Sequence, residues 1–244
     1  MKPVKSTLLA LSAFLLINFP VFASEADDIA NITEGGFNGT ATIDQTVSHG
    51  NPNLAQVSQR SGSSNEEVHI TQSGNGNHTV TVLMTGDNDV ENVSQLGTMD
   101  SALIMLTGSS HNSSTISQDA TTDSSGANIH ENGISNKATI TQSAQNQQAL
   151  VNQTGSMNNA TITQEYGGSN NNASVLQTGS SNIAAIDQPG ISNNALISQN
   201  GLSNTAEIVQ NGNSNSATVD QAGTMKLAQL TQTGNGNTVT ITQH

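Results

Sequence analysis

The side chains best suited to acid–base or metal chemistry in this 244-residue chain are six histidines and eighteen acids; there is no cysteine. His49, His69, His78, His111, His130 and His244 are scattered, without the short return spacing that gathers ligands around one ion. Each reads as a solvated turn or strand-face residue. The acid pairs Asp27-Asp28, Glu66-Glu67 and Asp87/Asp89 offer oxygens for weak calcium binding. They lack the Gly-Gly-x-Gly-x-Asp nonapeptide of calcium β-rolls. Gly74-Asn75-Gly76 is turn chemistry, because nothing after it reads as the helix a phosphate loop needs. Asn31-Ile32-Thr33 and Asn152-Gln153-Thr154 match a glycosylation acceptor by chance in so amide-rich a chain. The residues thus point to no catalytic group, no metal ligand and no cofactor, and the chain is not expected to be an enzyme.

The chemistry that does recur is that of the amide. Glutamines fall at Gln142, Gln153, Gln164, Gln177, Gln188, Gln199, Gln210, Gln221, Gln232 and Gln243, eleven residues apart except for one step of thirteen. Two residues before each stands an aliphatic: Ile140, Val151, Ile162, Val175, Ile186, Ile197, Ile208, Val219, Leu230 and Ile241. An asparagine precedes many of these by four, as at Asn158, Asn182, Asn193, Asn204 and Asn215. A glycine follows most glutamines by two, at Gly155, Gly179, Gly190, Gly201, Gly212, Gly223 and Gly234. Anchored on the aliphatic, the pattern runs back through Ile129, Ile116, Ile104, Val93, Val82, Ile70 and Val57 to Ile43, giving eighteen copies. Fifteen carry Gln; Met84, Leu106 and Glu131 are the exceptions. Self-similarity at a short fixed period defines a repeat architecture.

Asn, Ala, Ile and Gln occupy alternate positions, for example Asn158, Ala160, Ile162 and Gln164. Period two is the strand signature, so the four share one face, while Thr161 and Thr163 lie on the other. The glycine supplies a permissive turn. Each copy is then a strand and a turn, and two copies folded face to face make a rung of twenty-two residues. Nine such rungs in parallel, at roughly 4.8 Å each, predict an all-β solenoid of two parallel sheets, amyloid-like and on the order of 40 Å long. Buried amides must be paired, since each orphan costs ~1–3 kcal/mol, and identical residues in successive rungs meet that need by forming ladders. Met84, Leu106 and Glu131 are even-numbered copies, so all three fall on one sheet in successive rungs. Glu131 would face inward beside Gln153, either protonated or tilted toward the rung end.

Composition narrows the setting. Met1 to Lys5 carries two lysines, an apolar run extends from Leu8 to Phe22, and Val21-Phe22-Ala23 suits cleavage after Ala23. Residues 1–23 therefore read as a secretory signal peptide, too short and wrongly flanked to span a membrane. Beyond Ala23 only Arg60, Lys137 and Lys226 oppose all eighteen acids, leaving −15. That balance excludes a nucleic-acid footprint, and no membrane insertion is expected. The acids stand mostly singly, which suits a solubilising surface. An exported chain without disulfides needs another source of cohesion. Residues 24–36 lack the repeat phrase and carry Glu25, Asp27, Asp28 and Glu34; residues 37–244 form the repeat region.

The phrase Gln-x-Gly-x-x-Asn-x-Ala-x-x-x-Gln occurs as Gln153-Gly155-Asn158-Ala160-Gln164, Gln177-Gly179-Asn182-Ala184-Gln188 and Gln199-Gly201-Asn204-Ala206-Gln210. It recurs as Gln210-Gly212-Asn215-Ala217-Gln221, and with Val239 for Ala in the copy that ends at Gln243. This resembles the curlin repeat of bacterial curli subunits, over about Asn38 to His244. The resemblance implies a secreted subunit that stacks end to end into extracellular, cell-surface amyloid fibres of the biofilm matrix. Its implied partners are further copies of itself, another curlin subunit, a dedicated outer-membrane secretion pore and a periplasmic chaperone. By the same resemblance residues 24–36 are read by the pore and stay outside the solenoid. Their acidity is similar to that of the minor, nucleating subunit, whereas the clean last copy suits a polymerising one. The last copy ends one residue before His244 without a capping element, so both solenoid ends are expected to template addition. A soluble ice-binding solenoid is the alternative, suggested by Thr139-Ile140-Thr141, Thr161-Ile162-Thr163 and Thr240-Ile241-Thr242. Its flat threonine array is broken by Ala185/Asp187 and Glu207/Val209.

Overall fold

Residues 21–23, 28–47, 51–60, 62–119, 123–165 and 167–244 are described in the computed structural model of the chain. The expected leader lies outside them except for Val21–Ala23. The described residues form strands and turns with no helix, and hence no helix able to cross a membrane. Successive strands alternate between two sheets, and every pairing within each is parallel. Sheet A stacks Thr40–Val47, Glu67–Gly74, Val90–Gln95, Ser113–Gln118, Lys137–Gln142, Asn159–Gln164, Ile183–Asp187, Thr205–Asn211 and Leu227–Thr233, with Val21–Ala23 on its first edge. Sheet B stacks Ile29–Glu34, Leu54–Gln59, Thr79–Met84, Ser101–Leu106, Gly126–Ile134, Gln148–Ser156, Asn172–Ser180, Asn194–Leu202, Ser216–Thr224 and Thr238–Gln243. Two short strands, Gly86–Asp87 and Ser109–Ser110, pair beside sheet B. The chain is a β-solenoid that adds one strand to each sheet per rung.

The register is the sequence period made visible. Ala160 lies against Ala138 and Ala184, and Ile162 against Ile140 and Ile186. Alternation does the sorting: in Asn159–Gln164 the residues Ala160, Ile162 and Gln164 are buried, while Thr161 and Thr163 between them reach solvent. The core is a double column of small and β-branched residues running the length of the stack. Each buried Ile or Val contributes about 1.5–3 kcal/mol, so cohesion comes from repetition rather than from any large side chain.

Both turns of a rung rely on left-handed backbone. The residue before each ladder asparagine is in that region, as at Met157 (φ 55°), Ser181 (φ 56°) and Ser203 (φ 56°). On leaving sheet B the chain also turns through a glycine column. Gly155 has φ 117°, and a Cβ there would sit 1.9 Å from the carbonyl oxygen of Gly179 one rung on. No side chain fits between rungs that approach so closely.

One expectation needs correction. The solenoid does not begin after residue 36: Ile29–Glu34 pairs in register with Leu54–Gln59, so the acidic segment supplies the first strand of sheet B. Its pattern explains why. Asp28-x-Ala30-x-Ile32-x-Glu34 is the repeat phrase with both amides replaced by the acids of the same shape. Ala30 and Ile32 are buried in the common core.

Candidate functional site

The interior side-chain ladders and the rungs that interrupt them are the chemically distinctive part of this molecule. In sheet A one glutamine ladder runs unbroken through nine rungs. Gln45 donates from Nε2 to Oε1 of Gln72 at 2.8 Å, and the relay passes through Gln95, Gln118, Gln142, Gln164, Gln188 and Gln210 to Gln232 with every bond between 2.8 and 3.0 Å. The second N–H of each is used too: Gln164 donates to the Gln148 carbonyl and Gln188 to the Asn172 carbonyl, both 3.1 Å away in sheet B. A glutamine therefore ties its rung to the next and one sheet to the other.

Sheet B has the same ladder only in its C-terminal part. Gln153 donates to Gln177, Gln177 to Gln199, Gln199 to Gln221 and Gln221 to Gln243, at 2.8–2.9 Å. Before Gln153 the column reads Gln59, Met84, Leu106 and Glu131, in register. Met84 and Leu106 are buried and apolar, and Nε2 of Gln59 is left without a partner.

The asparagines form a second kind of ladder at the turns. Oδ1 of Asn158 accepts from the Asn182 N–H at 3.1 Å, and Oδ1 of Asn182 from the Asn204 N–H at 3.1 Å. Asn193 and Asn215 do the same in sheet B, where Oδ1 of Asn193 accepts the Asn215 N–H at 2.9 Å. Their Nδ2 groups donate onward to turn carbonyls: Asn158 to Gly179, Asn182 to Gly201, Asn193 to Gly212, Asn204 to Gly223 and Asn215 to Gly234. The glutamine relay and these Nδ2–carbonyl bonds run toward the C-terminal end of the stack, while Nδ2 of Asn182 also reaches back to Oδ1 of Asn158 at 3.1 Å. In the N-terminal half acids and a histidine take these slots: Asp28 accepts the Asn53 N–H at 2.8 Å, and Asp89 the Asn112 N–H at 2.7 Å.

The acids correct the sequence reading. Glu66, Asp89, Glu91 and Asp100 are buried inside the solenoid rather than spread over its surface, and Glu131 faces inward as its place in the repeat predicts. His78 is buried as well, with Nδ1 3.6 Å from the Asp100 carboxylate, and burial lowers its pKa. Glu91 fills the slot that Ala138 occupies in a regular copy and lies against Ser114 in the next rung. Burial raises its carboxyl well above the usual range, and Glu131 adds to the effect. Glu131 accepts a hydrogen bond from Ser114 Oγ at 3.2 Å and is pushed up to about 7 by burial. Glu66 is pushed up to about 8 by burial and by Asp89 and Asp87. The anchor on aliphatic and glutamine positions could not find Glu66, Asp89 and Glu91, since they stand in the Asn and Ala slots; reading those slots copy by copy would have exposed them. Among the described residues no group of three or more histidines and acids is placed to hold a metal ion.

A parallel β-solenoid with in-register amide ladders, one of them unbroken from Gln45 to Gln232, is a stacking architecture, whose distinctive chemistry is the joining of like to like. Three consecutive stretches, residues 133–165, 168–201 and 201–234, match the family model of the curlin associated repeat. Residues 133–234 thus carry curlin associated repeats. No curated protein matches the chain.

Proposed function

We propose that this protein is a curli-type subunit that adds end to end to copies of itself, forming extracellular fibres of a biofilm matrix after export. The observation that carries this reading is the unbroken, one-directional glutamine ladder from Gln45 to Gln232. A ladder in which every rung donates the same way leaves complementary ends. Oε1 of Gln45 is buried and unpartnered at one end, and Gln232 uses one N–H on the Ser216 carbonyl and has a second to give at the other. A second copy joined head to tail continues the stack without a change of fold, and cross-β stacks gain backbone and side-chain bonds at every such joint. Processing after Ala23 would remove Val21–Ala23 from Ile43–Gln45, baring that edge of sheet A. The curlin associated repeats over residues 133–234 support the same reading.

The test is seeded growth of the chain lacking residues 1–23, followed by thioflavin fluorescence and electron microscopy. Fibres should grow after a lag, and sheared fibres should remove the lag. A chain that stays monomeric at high concentration with seeds present would rule the reading out.

A further inference from the structure

Four carboxyl groups share the interior of consecutive rungs. Glu66, Asp89 and Glu91 come from sheet A and its turn, and Glu131 from the facing sheet. All are at most 1 % exposed. Both oxygens of Glu66, both of Glu91 and Oε1 of Glu131 have no hydrogen-bond partner, and neither has Oε1 of Gln153, one rung beyond Glu131. Two acceptors facing each other in a column are satisfied together by one proton. A neutral Glu131 takes the donor role that a glutamine has elsewhere in the ladder. Ser114 has a single hydroxyl proton for Glu91 and Glu131, and gives it to Glu131.

Among the described residues no lysine or arginine is placed to balance the group. The ion pairs His69–Glu67 and His78–Asp100 leave all four out. Glu66 faces Asp87 and Asp89. Asp89 faces Asp87 and the exposed His111, and is held by Ser109 Oγ and the Asn112 N–H. Glu91 faces Glu131, Asp89 and Glu66, and Glu131 faces Asp89. Of these neighbours His111 alone offers positive charge, and only to Asp89. By contrast the rungs from Gln142 onward are held by neutral amides.

We propose that this buried acid column is a proton-dependent latch: the rungs that contain Glu66 to Glu131 close when the carboxyls are protonated and loosen as they ionise, while the C-terminal rungs stay closed. The folded chain holds these protons more tightly than the unfolded chain does. The stability they confer is therefore complete below the ordinary carboxylate range and is lost as pH rises, through about 7 for Glu131 and about 8 for Glu66. Nearest-neighbour coupling in a solenoid lets one block of rungs open while another persists. No covalent step is involved; the only exchange is of protons with solvent.

Hydrogen exchange of the full chain at about pH 5.5 and about pH 8.5, corrected for intrinsic rates, tests the latch whether or not the chain polymerises. Protection over residues 62–119 should fall by about a hundredfold at the higher pH, as loss of the protons on Glu131 (about 7) and Glu66 (about 8) between the two values requires, while residues 148–243 change little. Glu66→Gln, Glu91→Gln and Glu131→Gln combined mimic the protonated shape and should remove most of the difference, leaving only what Asp89 contributes. Glu165→Gln with Glu207→Gln, outside this column, should preserve it. Equal protection at both pH values in the wild type, or an unchanged pH response in the triple variant, would overturn the proposal.

Discussion

Gln188 answers to three neighbours at once. It accepts from Gln164 and donates both to Gln210 and to the Asn172 carbonyl. Gln188→Ala strips each of them of a partner in a dry interior, where an orphaned polar group costs about 1–3 kcal/mol. The expected outcome is a loss of that order or more in the denaturant midpoint, together with slower fibre growth. Thr161→Ala, on the outward face, should change stability by no more than about 0.5 kcal/mol. Matching losses from the two substitutions would contradict a structural role for the ladder. At this scale the sequence speaks clearly wherever a slot keeps one residue type, as glutamine does. It speaks less clearly where shape is conserved and charge is not. Asp28 and Glu34 fit slots made for Asn and Gln because acid and amide are nearly isosteric, yet composition files them with the soluble surface. His78 and Asp100 misled in the same way: nothing about either residue type announces burial, and only the alternation counted from Val80 and Ala102 places them inside.

At the scale of the strand and its turn, the eleven-residue period was sufficient to place the sheets. Alternation assigns the faces, and parity assigns each copy to sheet A or sheet B, which is how Met84, Leu106 and Glu131 come to lie in one column. The missing strand, Ile29–Glu34, escaped because its amides are acids, although Ile32 stands the regular eleven residues before Ile43. The turns carry a distinct constraint that a Gly in the phrase only hints at. Gly201 combines φ 142° with a neighbour so near that a Cβ would stand 1.8 Å from the Gly223 carbonyl oxygen. Gly167 has φ 93° but nothing within 4 Å of the same position. Gly201→Ala must therefore spread two rungs apart as well as strain the backbone, whereas Gly167→Ala bears only the strain, about 1–3 kcal/mol. Thermal or denaturant unfolding of the two variants should show the larger loss at Gly201. If both lose the same, inter-rung contact is not what selects glycine in this column.

For the whole molecule, the ladders give the stack a direction. Backbone bonds share it at the C-terminal end: the Ser216 N–H donates to the Asn237 carbonyl at 2.7 Å, reaching from Ser216–Thr224 out to the segment that enters Thr238–Gln243. Alternate residues of a parallel strand repeat that orientation, so Thr218 and Asp220 also point their N–H groups outward. The residues aligned with them in Thr238–Gln243 are Thr240 and Thr242. Their N–H groups point away from the stack, toward the place where another rung would sit. Proline at Thr240 removes a donor that no described residue uses, and lysine at Thr242 puts a charge on the outer face of the same edge. Thr240→Pro with Thr242→Lys should leave hydrogen-exchange protection of the inner rungs unchanged. Fibre seeds tipped with this variant should then elongate from one end only, as counted by electron microscopy with labelled wild-type chains. Elongation from both ends at the wild-type rate would mean that growth does not pass through Thr238–Gln243, and that the direction written into the ladders is not the direction of assembly.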